Sequence, residues 1–183
     1  YLYDSPVHET DRGYAMQLDA TGNIYITGRS DVDASILSND NCLTIKLDNN
    51  GIQQWVSSYA SPGNYNERAT LIHVAPSGNV YVAGRTFNGT NDDILVLKYD
   101  NNGAQQWVQT YNGGSGNDIP NDMLIDANEN VYLTGESAGL VDTISDFVTI
   151  KYNVAGVQQW ANRYDGFNQN DFAEGIALDN GGD

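Results

Sequence analysis

Positive charge is the scarcest resource of this chain: eight Lys and Arg stand against 24 Asp and Glu, a formal net charge of −16 over 183 residues. Such a chain repels a phosphate backbone, and no basic stripe with interleaved aromatics offsets the repulsion, so nucleic acid is excluded as a partner class. Its one cysteine, Cys42, excludes an internal disulfide framework. Placed in the apolar run Cys42-Leu43-Thr44-Ile45, it reads as a small strand residue and not a nucleophile. No run approaches the roughly 18 apolar residues of a membrane helix, and direct membrane insertion is not expected. No segment keeps the i, i+3, i+4, i+7 apolar pattern of an amphipathic helix. Histidine occurs only as His8 and His73. His73, within Leu71-Ile72-His73-Val74, reads as a structural strand position. G-x-S-x-G, H-E-x-x-H and Cys/His clusters are all missing. Abundant Asp supplies many accidental carboxylate pairs of the kind that cleave glycosides, and nothing in the sequence selects one of them.

What the chain has is repetition. Gly22-Asn23-Ile24-Tyr25-Ile26-Thr27-Gly28 returns as Gly78-Asn79-Val80-Tyr81-Val82-Ala83-Gly84 and as Glu129-Asn130-Val131-Tyr132-Leu133-Thr134-Gly135. Gln-Gln-Trp follows each copy, ending at Trp55, Trp107 and Trp160, at intervals of 52 and 53 residues. The Gly-Asn-x-Tyr copies are spaced by 56 and 51, so length varies in the stretch after that strand, which marks a loop. Self-similarity near fifty residues signals a propeller or array. Within the first unit the alternation predicts strands over 14–18, 23–27, 43–47 and 53–59, the second stopping at Gly28. Asn- and Gly-rich turns such as Asp48-Asn49-Asn50-Gly51 join them.

Four antiparallel strands per unit make a propeller blade. The fold expected is therefore all-β: a β-propeller segment of three four-stranded blades plus the first strand of a fourth. The units run over 11–63, 64–115 and 116–168, with a partial one over 169–183. Tyr3-Asp4-Ser5 aligns with Tyr164-Asp165-Gly166 at the end of a unit, and 175–179 aligns with the start of one. The sequence is accordingly expected to be a segment of a longer polypeptide, with further blades supplied by the same chain or by other copies. No targeting signal is visible in it.

The pattern D-x-x-G-N-x-Y-x-x-G, then x-x-K-Y-D-x-x-G-x-x-x-W, is followed closely by 19–28 and 98–107. It resembles the bacterial SBBP β-propeller repeats. Local departures are Ala75 and Pro76 in place of Asp19 and Ala20, Glu129 in place of the turn Gly, and Leu47 in place of Tyr99 and Tyr152. The resemblance implies a protein exported to the outside or to the outer-membrane surface, through type IX secretion if the source is a Bacteroidetes. The D-x-x-G-x-x-x-W spacing also resembles the Asp-box and tryptophan-docking turns of sialidases and pyrroloquinoline-quinone dehydrogenases, where the turn is structural.

Repeated residues read as scaffold. Trp55, Trp107 and Trp160 read as packing between blades, with a stacking platform as the functional alternative. Asp48, Asp100 and Asn153 read as Asx caps of their turns. The three lysines, Lys46, Lys98 and Lys151, share one register. They are expected to pair with a recurrent carboxylate, either Asp11, Glu67, Asp118 and Asp171 before the first strand or the Asn41, Asp93, Asp146 position of the third. The first of these acid sets is also the metal candidate, a ring facing a central channel where Ca²⁺ would bind. Non-repeating loops over 30–40, 86–92 and 136–145 carry Asp31, Asp33, Asp40, Asp92 and Asp142, and 112–118 reads as a flexible acidic loop. With no catalytic constellation and no cofactor motif, the function expected is a non-enzymatic binding or scaffold segment that meets a surface protein or glycan. The alternatives are part of a polysaccharide hydrolase or lyase whose catalytic residues lie elsewhere, or a purely structural surface element.

Overall fold

The computed structural model describes residues 3–5, 10–31, 40–139, 144–166 and 169–179. Of the residues singled out above, His8, Asp33 and Asp142 and most of the 30–40 loop lie outside that set. The described residues form twelve strands and no helix, and so include none long and apolar enough to cross a membrane. The strands make three antiparallel four-stranded sheets, each a meander in chain order. The first contains β1 (Asp11–Leu18), β2 (Ile24–Asp31), β3 (Asp40–Leu47) and β4 (Gln53–Tyr59). The second contains β5 (Glu67–Val74), β6 (Val80–Phe87), β7 (Asp92–Tyr99) and β8 (Gln105–Tyr111). The third contains β9 (Asp118–Ile125), β10 (Val131–Ala138), β11 (Ser145–Tyr152) and β12 (Gln158–Tyr164). The first strand of each later sheet packs on strands of the sheet before it, a propeller-like arrangement in which each sheet is a blade.

Alternation along each strand sends side chains into two different blade joints. Tyr25, Val80, Val82, Leu95 and Leu97 fill the joint between the first two blades. Tyr81, Ala83, Ile94, Val96, Leu133 and Ile150 fill the joint between the second and third. Strands buried on both faces explain why β6 and β7 are almost wholly buried, whereas the outer strands β4, β8 and β12 stay largely exposed.

Two expectations need correction. The second strand does not stop at Gly28, because β2, β6 and β10 continue past Gly28, Gly84 and Gly135 for several residues. These glycines face register shifts in the neighbouring first strand, between Gly13 and Ala15, Ala69 and Leu71, and opposite Thr134 and Gly135. At each bulge the first strand presses its backbone inward, and a Cβ on the glycine would collide with the carbonyl of Arg12, Arg68 or Ile119. The recurring Gly is thus a requirement of close backbone approach inside a strand and not a stop signal.

The expected first strand of a fourth blade is not a strand over 169–179. A strand needs a ladder partner, and this segment is held to the third blade by isolated bonds instead. Asp171 N–H donates to Ser145 O at 2.7 Å, Asn121 Nδ2 to Ala173 O at 3.0 Å, and Ile176 N–H to Asp122 Oδ2 at 2.9 Å.

Gly84→Ala is expected to destabilise the second blade by about 1–3 kcal/mol through backbone displacement, whereas the same change at the turn glycine Gly51, whose Cβ would meet nothing, should cost about 1 kcal/mol, from its positive φ alone. Denaturant melts of the two variants check the difference.

Candidate functional site

The repeated residues assemble one unit of joinery. Tyr25, Tyr81 and Tyr132 are buried. Their rings meet Trp55, Trp107 and Trp160 at centroid distances of 6.2, 6.1 and 6.4 Å. Lys46, Lys98 and Lys151 place their ammonium groups over those tyrosines at 5.1, 5.0 and 4.7 Å. Trp55 Nε1–H donates to Asn101 O at 3.0 Å and Trp107 Nε1–H to Val154 O at 3.1 Å, both in the third turn of the following blade. Gly103 and Gly156, at φ of 81° and 80°, lie against these indoles so closely that a Cβ would strike the ring. Asp48, Asp100 and Asn153 each accept two backbone N–H bonds that close the turn presenting that glycine.

Lysine pairing differs from the expectation. Lys46 donates to Asn101 Oδ1 at 2.7 Å and Lys98 to Val154 O at 3.3 Å, both oxygens of the following blade. Lys98 also pairs with Glu129 at 3.3 Å, which belongs to neither recurrent set. The reason is a compensation between two departures from the repeat. In the first and third blades a turn Asp accepts from the Asn and Tyr of Gly-Asn-x-Tyr: Asn23 Nδ2 and Tyr25 OH bond Asp19, and Asn130 Nδ2 and Tyr132 OH bond Asp126. The second blade has Ala75 there. Its Asn79 Nδ2 and Tyr81 OH donate instead to Glu129 Oε2 of the next blade, at 2.8 and 2.7 Å. Glu129 takes φ of 60°, where its own repeat calls for Gly. Burial opposes its charge, but Ser77, Tyr81, Asn79 and Lys98 overcome it and hold the carboxyl at about 2.

The metal candidates are not gathered into a ring among the described residues. Asp11, Asp118 and Asp171 each hold the link that leads from one blade into the next, and Glu67 ties β5 to β6. Asp11 accepts from Ser5 N–H at 2.8 Å, Asp118 from Gly113 N–H at 2.7 Å, and Asp171 from Gly166 N–H. Glu67 accepts from Thr86 Oγ1 at 3.1 Å. Glu67 and Asp118 are fully buried. Burial raises both carboxyl pKa values, and the neighbouring dipoles of Ser61 and Thr86, or of Ser137 and Gly113, oppose it only in part. Beside each link an Asn bridges blades: Asn66, Asn117 and Asn170 accept from the N–H of Asp40, Asp92 and Ser145. The 112–118 loop is anchored, not loose, since Arg163 donates to Gly113 O and Ser137 O at 2.7 Å and Asn91 Nδ2 bonds Gly116 O.

One acidic trio does converge, Asp146, Asp165 and Asp171, with carboxylate oxygens within 4.8 Å of one another. Asp146 accepts from Arg163 at 2.9 Å and Asp171 from Gly166 N–H, so these acids already serve the fold, and Ca²⁺ would need six or more oxygens. Cys42 is fully buried, and burial pushes its thiol up to about 12, which removes it as a nucleophile. Burial likewise holds the His73 imidazole below its usual pKa.

Residues outside the repeat converge at one place. A cleft of about 350 Å³ opens where the first two blades meet, with Arg29, Asp31, Asp40, Arg68, Arg85 and Asp92 among its walls. Arg29 bonds Asp40, and Arg85 bonds Asp92 at 3.0 Å. The matching cleft between the second and third blades is lined by Ile119, Glu136 and Ser145 in place of Arg68, Arg85 and Asp92. Arginine was not singled out from the sequence; its signal is that four of five arginines fall at two repeat positions in only two of three blades.

In comparison with known families, residues 106–140 match SBBP, described as a beta-propeller repeat. No curated protein matches the chain at a significant level.

Two outcomes check the joinery. Asp118→Asn keeps an acceptor for Gly113 without a buried charge and should match or exceed the parent in melting temperature at neutral pH, whereas Asp118→Ala should lose about 1–3 kcal/mol. Because the folded pKa is raised, the Asp favours folding at low pH and that contribution is lost as pH rises, so the advantage of Asn should widen from acid toward neutral. Glu129→Gly alone should lower the melting temperature, and Ala75→Asp added to it should restore most of the loss. Since the folded pKa of Glu129 is depressed, its stabilisation is present above about 4.5 and lost as pH falls toward about 2; the single variant should lack that acid limb in a pH series of melts.

Proposed function

We propose that this chain, which carries a β-propeller repeat of the SBBP family, is a non-enzymatic binding segment of an exported bacterial protein, engaging a surface protein or glycan. The observation that carries this reading is the division of labour among its polar residues. The repeated Tyr25, Tyr81 and Tyr132, the three Trp, the three Lys and the turn Asx residues make contacts within or between blades, while Arg29, Arg68, Arg85, Asp31, Asp40 and Asp92 gather at the open cleft of the first blade joint. The scaffold would be placed by ring closure with further blades, of its own chain or of other copies, leaving the cleft at the rim.

Neither the buried Cys42 nor the half-buried His73 lines the cleft, so its polar chemistry is that of Arg and carboxylate side chains. The immobilised full-length protein is expected to retain a saturable surface protein or glycan and to protect backbone amides around Asp40 and Asp92 from hydrogen exchange, with no product released from polysaccharide. Product release abolished by a single Asp substitution would replace this reading with the enzymatic one.

A further inference from the structure

The two arginine positions are cross-strand neighbours. Arg12 lies opposite Arg29 in the β1–β2 ladder and Arg68 opposite Arg85 in the β5–β6 ladder. In the third blade the same pair is Ile119 and Glu136. Like charges directly opposite each other destabilise a sheet, so the pairing of arginine with arginine is not itself a scaffold gain. Arg29 and Arg85 are neutralised by Asp40 and Asp92. Arg68 makes no ion pair among the described residues; its guanidinium lies over the exposed ring of Tyr14 at 5.6 Å. Arg68 and Arg85 also wall a second cleft of about 410 Å³, which runs inward past Tyr14, Leu71, Ile119 and Pro120. The two clefts share Arg68 and Arg85 as walls, the first lined mostly by polar groups and the second more apolar beside the first strands; the pair is termed the groove.

We propose that this groove binds an acidic saccharide through a uronate-type carboxylate on Arg68. This rests on the binding reading above and names its ligand class. The planar guanidinium fork matches a carboxylate in bidentate fashion. A chain with two or more charges on one sugar unit, as in a phosphate monoester or a multiply sulfated residue, would meet Asp31, Asp40 and Asp92 in the same walls, so a single carboxylate per sugar unit fits better. The Arg29–Asp40 and Arg85–Asp92 pairs each set donors beside acceptors, the arrangement that vicinal hydroxyls satisfy because each hydroxyl both donates and accepts. Leu71, Ile119 and Pro120 offer an apolar floor for the C–H face of a pyranose, and the Tyr14 ring holds the Arg68 guanidinium beside it. A peptide carboxylate shares the Arg68 chemistry but leaves the paired rim charges without hydroxyls to bridge.

The test titrates trigalacturonate and a neutral galactose trisaccharide into the full-length protein by calorimetry, with Arg68→Gln and Arg68→Lys as variants. The acidic trisaccharide is expected to bind at least about 10-fold more tightly than the neutral one. Arg68→Gln should erase that preference, and Arg68→Lys should retain only part of it. Relief of the repulsion with Arg85 should leave the unliganded melting temperature of Arg68→Gln equal to or above that of the parent. A fall of several degrees would make Arg68 a scaffold residue and overturn the proposal. Equal affinity for both sugars with no effect of Arg68→Gln overturns it too, as does binding of an acidic peptide with no saccharide bound; both leave the binding reading in place. Cleavage of trigalacturonate that needs Arg68 would support the ligand class and overturn the non-enzymatic reading instead.

Discussion

The joint on which the other features depend is the seat of one blade's tryptophan against the third turn of the next. Trp55 lies flat against Gly103 and donates its indole N–H to Asn101 O; Trp107 repeats this with Gly156 and Val154. An indole buries a large apolar area, and its one donor must be satisfied when it does so. The glycine at positive φ leaves a bare backbone surface for the ring, and the carbonyl two residues before it takes the indole N–H. The Asx cap that shapes the turn, the tyrosine edge-on to the indole and the lysine over the tyrosine all follow from holding that seat in place. Trp160, whose following turn is not among the described residues, is the most exposed of the three.

Because the joint spans two blades, a defect in one repeat can be repaired from its neighbour. Ala75 removes the acceptor that the second blade's Asn79 and Tyr81 need, and Glu129 supplies it from the third blade at the expense of a strained φ in its own turn. One residue held at positive φ thereby satisfies three donors, Asn79, Tyr81 and Lys98. The recurrent acids before each first strand obey the same logic. Glu67 and Asp118 are buried against their electrostatic preference, and Asp118 thereby satisfies the backbone of the link that carries the chain from blade to blade.

Much of the fold was legible in the sequence. The period-2 runs around Tyr25, Tyr81 and Tyr132, and the Asp-x-x-Gly turns, report local geometry, and local geometry is written in consecutive residues. Less was legible where the controlling partner is remote. Gly28 looked like a strand terminus because the carbonyl of Arg12 that demands it lies in another strand. Lys98 looked destined for a recurrent carboxylate because Glu129, its partner, sits at a position where other repeats have Gly. The 112–118 loop looked loose because Arg163 and Asn91, which tie it down, come from the third blade's last strand and the second blade's loop.

Repetition alone therefore determined that this protein is a row of four-stranded antiparallel blades with a tryptophan packing one blade on the next, since the residues of the unit recur at its spacing; that the lysine lies over the tyrosine beside that indole came from the tertiary structure. Tertiary structure decided what the non-repeating residues do. Arg29, Arg68 and Arg85 are scattered over nearly sixty positions and carry no motif. They become one feature only when packing of the second blade on the first brings β2 and β5 together, and charge acts through distance in space, which chain order does not record.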